Sequence, residues 1–492
     1  MLTFIVLDFY MTKAMIKNSR RKFLKLVGTT FGVSIVGTNT TAGKTKKDSR
    51  FLIDLREISR SEVPSDVKII HDISQIDLLA ARGDASSVGD AAATTPDITV
   101  YQDTSGPIVE RNGPTVDGKG RSHNHDGPPK NSEYQWDKRV QDVDDLTDKP
   151  GGGKFIHDTT KGAGTRVAVV DTGVYDAHPD LTGVVNDELS ENFTTDQYDW
   201  RPNGAGDHGT HVAGIIAATN SNSGPDGGVL GTAPKTEIIS HRVFSGVEEE
   251  GATTGDTVAA LAAAADKGCD AANFSVGYIN YNVEEHPELL DIKEIYHRLT
   301  KYVRAKGMVF VNSAGNDSID MSKEKLLSLP TEVEGIFGVS ATGPIGCGWD
   351  GKHSDNEEKW LTGNRLEEPT TEPAFYTNYG NAVDVSAAGG NADLEALDGG
   401  VKGAERDLVY STIYETDESG NTVAGYGWKA GTSMAAPQVT GAVALVRSLR
   451  PDASVEEVET LIQATASDAP GGKTYHGAGH LNLKRLVKRA QM

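Results

Sequence analysis

Cysteine is nearly missing from this chain: 492 residues hold two, Cys269 and Cys347. At most one disulfide can form, so no disulfide framework organises the fold. Each thiol reads as a small buried or loop residue rather than a reactive centre. Aromatic residues are scarce, at 7%. Basic charge is scarce too: the formal charge is -22, and residues 1–50 carry ten Lys/Arg against two Asp/Glu, which leaves -30 on the remainder. A phosphate-binding face needs a basic patch, so this balance argues against nucleic acid as a partner. An acidic, well-hydrated surface suits solubility in high salt. No apolar run is long enough for a permanent membrane anchor. Glycine is what the chain has in quantity, 55 residues against 37% hydrophobic content, so many loops are expected around a compact centre. The length leaves room for more than one domain.

The basic excess is local. Ser19-Arg-Arg-Lys-Phe-Leu-Lys25 precedes an apolar stretch from Leu26 to Val36. Paired arginines followed by Phe23, Leu24 and Lys25 resemble the twin-arginine export signal, which implies transfer of a folded protein across a membrane by the Tat machinery and a secreted product. Residues 1–42 are expected to be this signal region, cleaved near Ala42, with translation starting at Met1, Met11 or Met15. Phe51-Leu-Ile-Asp-Leu55, Val67-Lys-Ile-Ile70 and Ile98-Thr-Val-Tyr101 alternate weakly, which suits a small α+β unit over 43–105. From 106 to 133 the composition turns to Gly, Pro, Ser, His and charge and reads as a linker. Its two histidines, His123 and His125, read as solvated.

From Gly164 onward strands and helices alternate. Strands are expected at 165–170, 237–243, 270–276, 308–312, 336–341 and 382–386, and helices at 208–218 and 256–267. This predicts a mostly parallel sheet with helices on both faces and functional residues at the carboxyl ends of the strands. Asp171, Ser275 and Asn316 fall at such ends. Residues 278–297, 343–373 and 390–426 read as insertions, the last two as surface loops. Gly431 to Leu449 is apolar nearly all round, so it reads as a buried helix, and it is too short to span a bilayer. Its first turn offers a hydroxyl, Ser433, among small residues, where backbone N–H groups and the positive dipole end also point. Ser454 with Glu457 makes a capping box that opens a further helix to 466.

Amide hydrolysis through serine needs a hydroxyl, a base, an acid to orient the base, and donors for an oxyanion. Ser433, His208, Asp171 and Asn316 supply one of each. Other readings of the pieces fail on number or order. Asp171-Thr-Gly173 as an aspartic-protease half-site needs a second copy, and the chain has none. His208 and His211 on one helix face lack an acidic third metal ligand. An α/β-hydrolase requires the order serine, acid, histidine. Here the order is acid, histidine, serine.

Val169-Val-Asp-Thr-Gly-Val174, His208-Gly-Thr-His-Val-Ala-Gly214, Ser313-Ala-Gly-Asn316 and Gly431-Thr-Ser-Met-Ala-Ala-Pro437 resemble the signatures of the subtilisin-like serine proteases. The chain order is that of subtilisin, a known case. With the Tat-like signal and acidic body, the chain is similar to the halolysin-like branch of salt-loving archaea. The resemblance covers about residues 134 to 490. It implies a three-layer α/β subtilisin-like fold over 134–492, preceded by a small α+β propeptide that serves as inhibitor and folding aid. It also implies a monomeric serine endopeptidase acting on protein or peptide substrates. Ser433 would be the nucleophile, His208 the base, Asp171 its orienting acid, and Asn316 with the Ser433 N–H the oxyanion hole. Ser275-Val276-Gly277 would pair an extended substrate, and Ala314-Gly315 would line the pocket before the cut bond. Structural calcium is implied as well, with Asp180 as a ligand and Asn220 to Asp226 as the ligand loop. A processing protease of limited specificity and a catalytically dead secreted binding protein are the alternatives.

Overall fold

Valine and alanine fill Arg166-Val-Ala-Val-Val-Asp171, and the strand they form lies within the central sheet. The computed structural model describes residues 49–89, 93–102, 109–115, 134–144, 155–221, 228–247, 252–278, 281–323, 325–346, 371–401, 403–417 and 419–492. The twin-arginine stretch, Ala42, His123, His125 and Cys347 lie outside the described residues.

The described chain begins with β1 (Ser49–Asp54), β2 (Lys68–Ile73), β3 (Leu78–Gly83) and β4 (Thr94–Pro96), which form a sheet in the order β2-β3-β1-β4. Next come β5 (Thr99–Gln102) and β6 (Val109–Thr115). The central sheet opens with β7 (Arg166–Asp171), β8 (Glu191–Asn192) and β9 (Glu237–Arg242). After the short β10 (Ala252–Thr253) it continues with β11 (Ala271–Phe274), followed by the two-residue strands β12 (Val276–Gly277) and β13 (Tyr281–Asn282). It is completed by β14 (Val309–Ser313), β16 (Phe337–Thr342) and β17 (Val385–Ala388), while β15 (Leu326–Leu327) pairs with β13. The order β17-β16-β14-β11-β7-β9-β8 is parallel throughout. From β7 the chain places β8 at one edge, returns to fill β9 between them, and then crosses to the other side of β7, where β11, β14, β16 and β17 follow outward. The reversal leaves a crevice at the carboxyl ends of β7 and β11.

Among the described residues, six helices of eight or more residues cover the sheet: α1 (His208–Ala217), α2 (Thr254–Asp266), α3 (Glu288–Ala305), α4 (Thr432–Leu449), α5 (Val455–Thr465) and α6 (Leu483–Ala490). Alternation along β7 decides which face meets which. Val167 and Val169 pack with Val212 and Ile216 of α1 and Val439 and Val443 of α4. Ala168 and Val170 pack with Val258 and Leu261 of α2 and Ile292 and Leu299 of α3. This is the two-residue period of a strand buried on both sides. Helix α4 is buried from Thr432 through Arg447, as its apolar surround predicts. The Ser454–Glu457 capping box is formed at the head of α5. Among the described residues, no helix is long and apolar enough to cross a membrane.

The N-terminal sheet rests on α2. Leu52, Ile73, Leu78 and Ala80 join the same buried cluster as that helix. A Cβ on Gly255 would come within 2.6 Å of the Ala80 Cβ, so glycine permits this approach. Asp97 caps the helix start through the Gly255 N–H at 2.8 Å. Arg50 bridges Asp97 at 2.9 Å and Asp256 at 2.6 Å, and His71 reaches Asp256 at 2.8 Å. Each buried charge thus has a partner, as burial demands.

Four expectations need correction. Residues 278–297 are no loose insertion: they lead into α3, whose Leu289, Ile292, Tyr296, Leu299 and Val303 face the core. The stretch 390–426 is not a surface loop. It contains β18 (Val409–Thr416) and most of β19 (Thr422–Ala430), an antiparallel hairpin with Tyr410, Tyr426 and Trp428 buried in one cluster. Within the supposed linker 106–133, residues 109–115 form β6 and pair with β19. The strand expected at 382–386 is β17 at Val385–Ala388, because a turn closed by Val383 N to Gly380 O delays it. Of the insertion 343–373, residues 347–370 lie outside the described residues. Cys269 is buried, and burial pushes its thiol up to about 12, which makes it unreactive.

Candidate active site

Asp171 ends β7 fully buried, and Thr172 N–H donates to its Oδ1 at 2.7 Å. His208 begins α1, and its Nδ1 lies 2.9 Å from both carboxylate oxygens. Two glycines allow the approach. A Cβ on Gly209 would sit 2.4 Å from Gly173 O and 3.1 Å from the Asp171 Cβ. Gly173 takes φ +97, where a side chain is strained, and its Cβ would meet Trp200 O at 2.7 Å. The carboxylate is therefore rigid, dry and aimed at the ring nitrogen away from the reacting side. Such a partner fixes the tautomer in which Nε2 is the proton-accepting nitrogen.

His211, one turn on, is turned away from this pair. Its Nε2 lies 3.2 Å from Val409 O and 3.1 Å from Gly427 O. Burial first, and then Lys429, hold it well below the usual histidine range. It ties α1 to the β18–β19 hairpin as a neutral ring. Lys429 also forms a largely buried ion pair with Asp207, the residue before His208, at 3.0 Å.

Ser433 stands in the first turn of α4, 2% exposed, with Oγ 3.4 Å from Ser275 O. Ser275 Oγ returns a bond to Ser433 O at 3.1 Å. Asn316 follows β14, and its Oδ1 accepts from Thr432 N at 2.9 Å and Thr432 Oγ1 at 3.1 Å. These two donors assign the amide, so Nδ2 is the end turned toward the Gly431–Ser433 backbone. A Cβ built on Gly431 would lie 3.3 Å from Asn316 Nδ2 and 3.6 Å from Ser433 N. Two N–H donors thus border one small space beside the serine, the requirement for stabilising an oxyanion.

The loop carrying Asn316 is braced by Asn378. Its Nδ2 donates to Ala314 O at 2.9 Å, and its Oδ1 accepts from Asp317 N at 3.0 Å and Ile319 N at 2.9 Å. Gly315, at φ +105, leaves room for it: a Cβ there would stand 2.2 Å from Asn378 Nδ2. Ala314 is buried, and Gly315 N–H donates to Thr432 Oγ1 at 3.0 Å. Val276 and Gly277 form a strand edge that β5 covers: Val276 pairs with Gln102 and Gly277 with Tyr101, antiparallel. The other side of β5 pairs with β10. Val100 is buried within this ribbon and Tyr101 is not. Three features had no signal in the motifs: Asn378, the Lys429–Asp207 pair and the occupied edge. Each depends on contacts distant in sequence.

Asp180 is buried away from this centre, where Tyr426 Oη–H and Val229 N–H each donate to its Oδ2 at 2.8 Å. Of the supposed ligand loop, residues 222–227 lie outside the described residues. Calcium takes about six to eight oxygens. Among the described residues no group of three or more His, Cys, Asp or Glu side chains converges. One carboxylate already holding two hydrogen bonds does not make that shell, and no step below uses a metal.

Residues 162–481 match the family described as the subtilase family. The thermophilic serine proteinase of Bacillus sp. (strain AK1) is 31% identical over 68% of this chain and 64% of its own length. Thermitase of Thermoactinomyces vulgaris is 30% identical over 67% of this chain and 91% of its own. The chain thus spans just under two thirds of the first relative and most of the second. The crystal structure of fervidolysin from Fervidobacterium pennivorans superposes with a TM-score of 0.60 at 20% identity, over 90% of this chain and 61% of that one. That last likeness concerns the fold.

Proposed function

The chain belongs to the subtilase family of serine endopeptidases, and from that premise we propose that it cuts peptide bonds through Asp171, His208 and Ser433 by way of an acyl-enzyme. Ser433 Oγ attacks the carbonyl carbon while its proton passes to His208 Nε2. Asp171 holds the ring and stabilises the imidazolium. Asn316 Nδ2 and the Ser433 N–H receive the charge that develops on the carbonyl oxygen. His208 then protonates the departing amine, and a water deprotonated by the same base releases the acyl group. The observation that carries this reading is the buried Asp171 carboxylate, with both oxygens 2.9 Å from His208 Nδ1.

Substrates are proteins or peptides bound as an added strand on Ser275-Val276-Gly277, with Ala314-Gly315 beside the residue that precedes the cut. The pairing of β5 on that edge supports reading residues 43–105 as a propeptide whose end fills its own cleft. Export by the twin-arginine route rests on Arg20, Arg21 and the apolar stretch after them, and a salt-adapted branch rests on the acidic body. Structural calcium at Asp180 remains an implication of the family alone.

A fluorophosphonate, which phosphonylates only an activated serine with loss of fluoride, tests the chemistry. Mature protein should take up one equivalent at Ser433, and both heat-unfolded protein and Ser433→Ala should take up none. Labelling at another residue, or none in the folded protein, would overturn the assignment.

A further inference from the structure

Arg242 is fully buried, and no step above uses it. It ends β9 in register with Asp171 at the end of β7, and Val243 N–H donates to Asp171 O at 2.9 Å. Its guanidinium reaches into the stretch 193–207, which connects β8 to His208. Nη1 and Nη2 donate to the two oxygens of Asp196 at 2.8 and 2.7 Å. Nη1 also donates to Phe244 O, and Nε to Asp199 O, both at 2.9 Å. The Asp196 side chain is 3% exposed and collects three more donors. They are Asn192 Nδ2 at 3.0 Å, Tyr198 N–H at 2.9 Å and Asn203 Nδ2 at 2.7 Å. Burial works against the Asp196 charge, but the bonds from Arg242 outweigh it and hold the carboxyl well below the usual range. The pair therefore stays ionised wherever a histidine titrates, and it gathers 192–203 around one buried point.

The gathered stretch meets the catalytic pair twice. Its 200–202 segment lies on the Asp171-Thr-Gly173 turn, where a Cβ on Gly173 would stand 2.7 Å from Trp200 O and 2.8 Å from Pro202 N. Its end is Asp207, the residue before His208. A shift of this stretch must therefore move the turn, the head of α1, or both. We propose that Arg242 is a positioning residue of the catalytic centre: with Asp196 it holds 192–203 against the Asp171–Gly173 turn and so fixes His208 on Asp171. The proposal rests on the protease reading and adds to it a residue outside the four motifs. Guanidinium suits the task, because its planar fork presents paired N–H groups to one carboxylate. A buried pair is also screened by salt far less than an exposed one. Removing the side chain leaves a space walled by the Asp196 carboxylate and the Asp199 and Phe244 carbonyls. Free guanidinium ion has the charge and the donors to refill it.

Arg242→Ala is assayed on an anilide substrate with and without millimolar guanidinium chloride, beside the wild type under the same conditions. A misplacement of about 1 Å costs about 10²-fold, so kcat should fall by about that factor. KM should stay within about threefold, because Ser275–Gly277 and Ala314–Gly315 belong to other elements. Guanidinium should recover about tenfold of the loss, saturably, and equal urea or sodium chloride should recover none. The proton on His208 Nδ1, read at low field by NMR, reports the bond to Asp171 directly. It should move in the variant and return with guanidinium. Wild-type kcat in the folded variant, a loss carried by KM alone, or a loss that guanidinium leaves unchanged overturns the proposal. If the alanine variant does not fold, Arg242→Lys keeps the charge and loses the fork. A lowered kcat at unchanged KM with a displaced proton then keeps the proposal, and an unchanged kcat and proton overturn it. If the wild type cuts no substrate, the protease reading has failed. The His208 proton then decides alone: displacement in the variant keeps the positioning role, and none overturns it.

Discussion

Replacing Asn316 with alanine tests the oxyanion assignment bond by bond. The side chain has two tasks. Its Oδ1 accepts from Thr432 N at 2.9 Å and Thr432 Oγ1 at 3.1 Å, and its Nδ2 faces the backbone beside Ser433. Alanine ends both. Loss of the donor should lower kcat by about 10²–10³, or about 2.7–4 kcal/mol, a range measured on subtilisin itself and carried over here. Loss of the acceptor leaves a buried N–H and hydroxyl to find new partners, costing about 1–3 kcal/mol of stability. Asn316→Asp separates the two tasks. It keeps the acceptor, so its melting temperature should exceed that of the alanine variant. It also turns a negative oxygen toward a developing negative charge, so its kcat should fall below that of the alanine variant. The assay is steady-state kinetics on an anilide substrate beside thermal melts, with KM expected to move less than about threefold. A kcat for Asn316→Ala within tenfold of wild type, or a loss carried by KM alone, would refute the assignment.

Three further outcomes follow from single contacts. Lys429→Met leaves the Asp207 charge uncompensated beside His208, which favours the imidazolium, so the acid limb of kcat/KM against pH should move upward. Lys429→Arg should restore it, and an unmoved limb would remove Lys429 from the account. Burial pushes the Asp384 carboxyl up to about 6. Because the folded value exceeds the unfolded one, its contribution to stability is present at low pH and is lost as pH rises through 6. Asp384→Asn should therefore raise the melting temperature at pH 8 and not at pH 4, and equal gains at both would contradict this. Gly209→Ala sets a methyl 2.4 Å from Gly173 O and must push α1 off Asp171. A displacement of about 1 Å costs about 10²-fold in activity, with circular dichroism unchanged, and full activity would show that α1 can yield without moving His208.

What the sequence made legible was whatever is local. β7 is an apolar run that ends in Asp-Thr-Gly, α4 is apolar all round, and each motif at a strand end sits within a few residues of its strand. The fold class followed from these, and the structure pairs Asp171 with His208 and sets Asn316 beside the Gly431–Ser433 backbone. Helix α3 was legible and missed: Leu289, Ile292, Tyr296, Leu299 and Val303 recur at helical spacing, yet residues 278–297 read as an insertion. The β18–β19 hairpin was obscured by glycine and acidic residues on its neighbours, although Tyr410, Tyr426 and Trp428 are enough to bury it. β5 and β6 are a different matter. Their partners lie more than 150 residues away, and a strand added to an exposed edge is selected by that edge. The weak alternation of Ile98-Thr-Val-Tyr101 announces a strand there but not the edge it joins, and residues 109–115 fall in the stretch read as a linker.

The most direct test of the central claim is the intact mass of the purified precursor and of its Ser433→Ala variant, incubated alone at high salt. Self-cleavage by Ser433 predicts that the wild type loses its N-terminal segment and that the variant keeps it. Loss of the same segment from the purified variant would contradict the account, because another residue would then be the nucleophile.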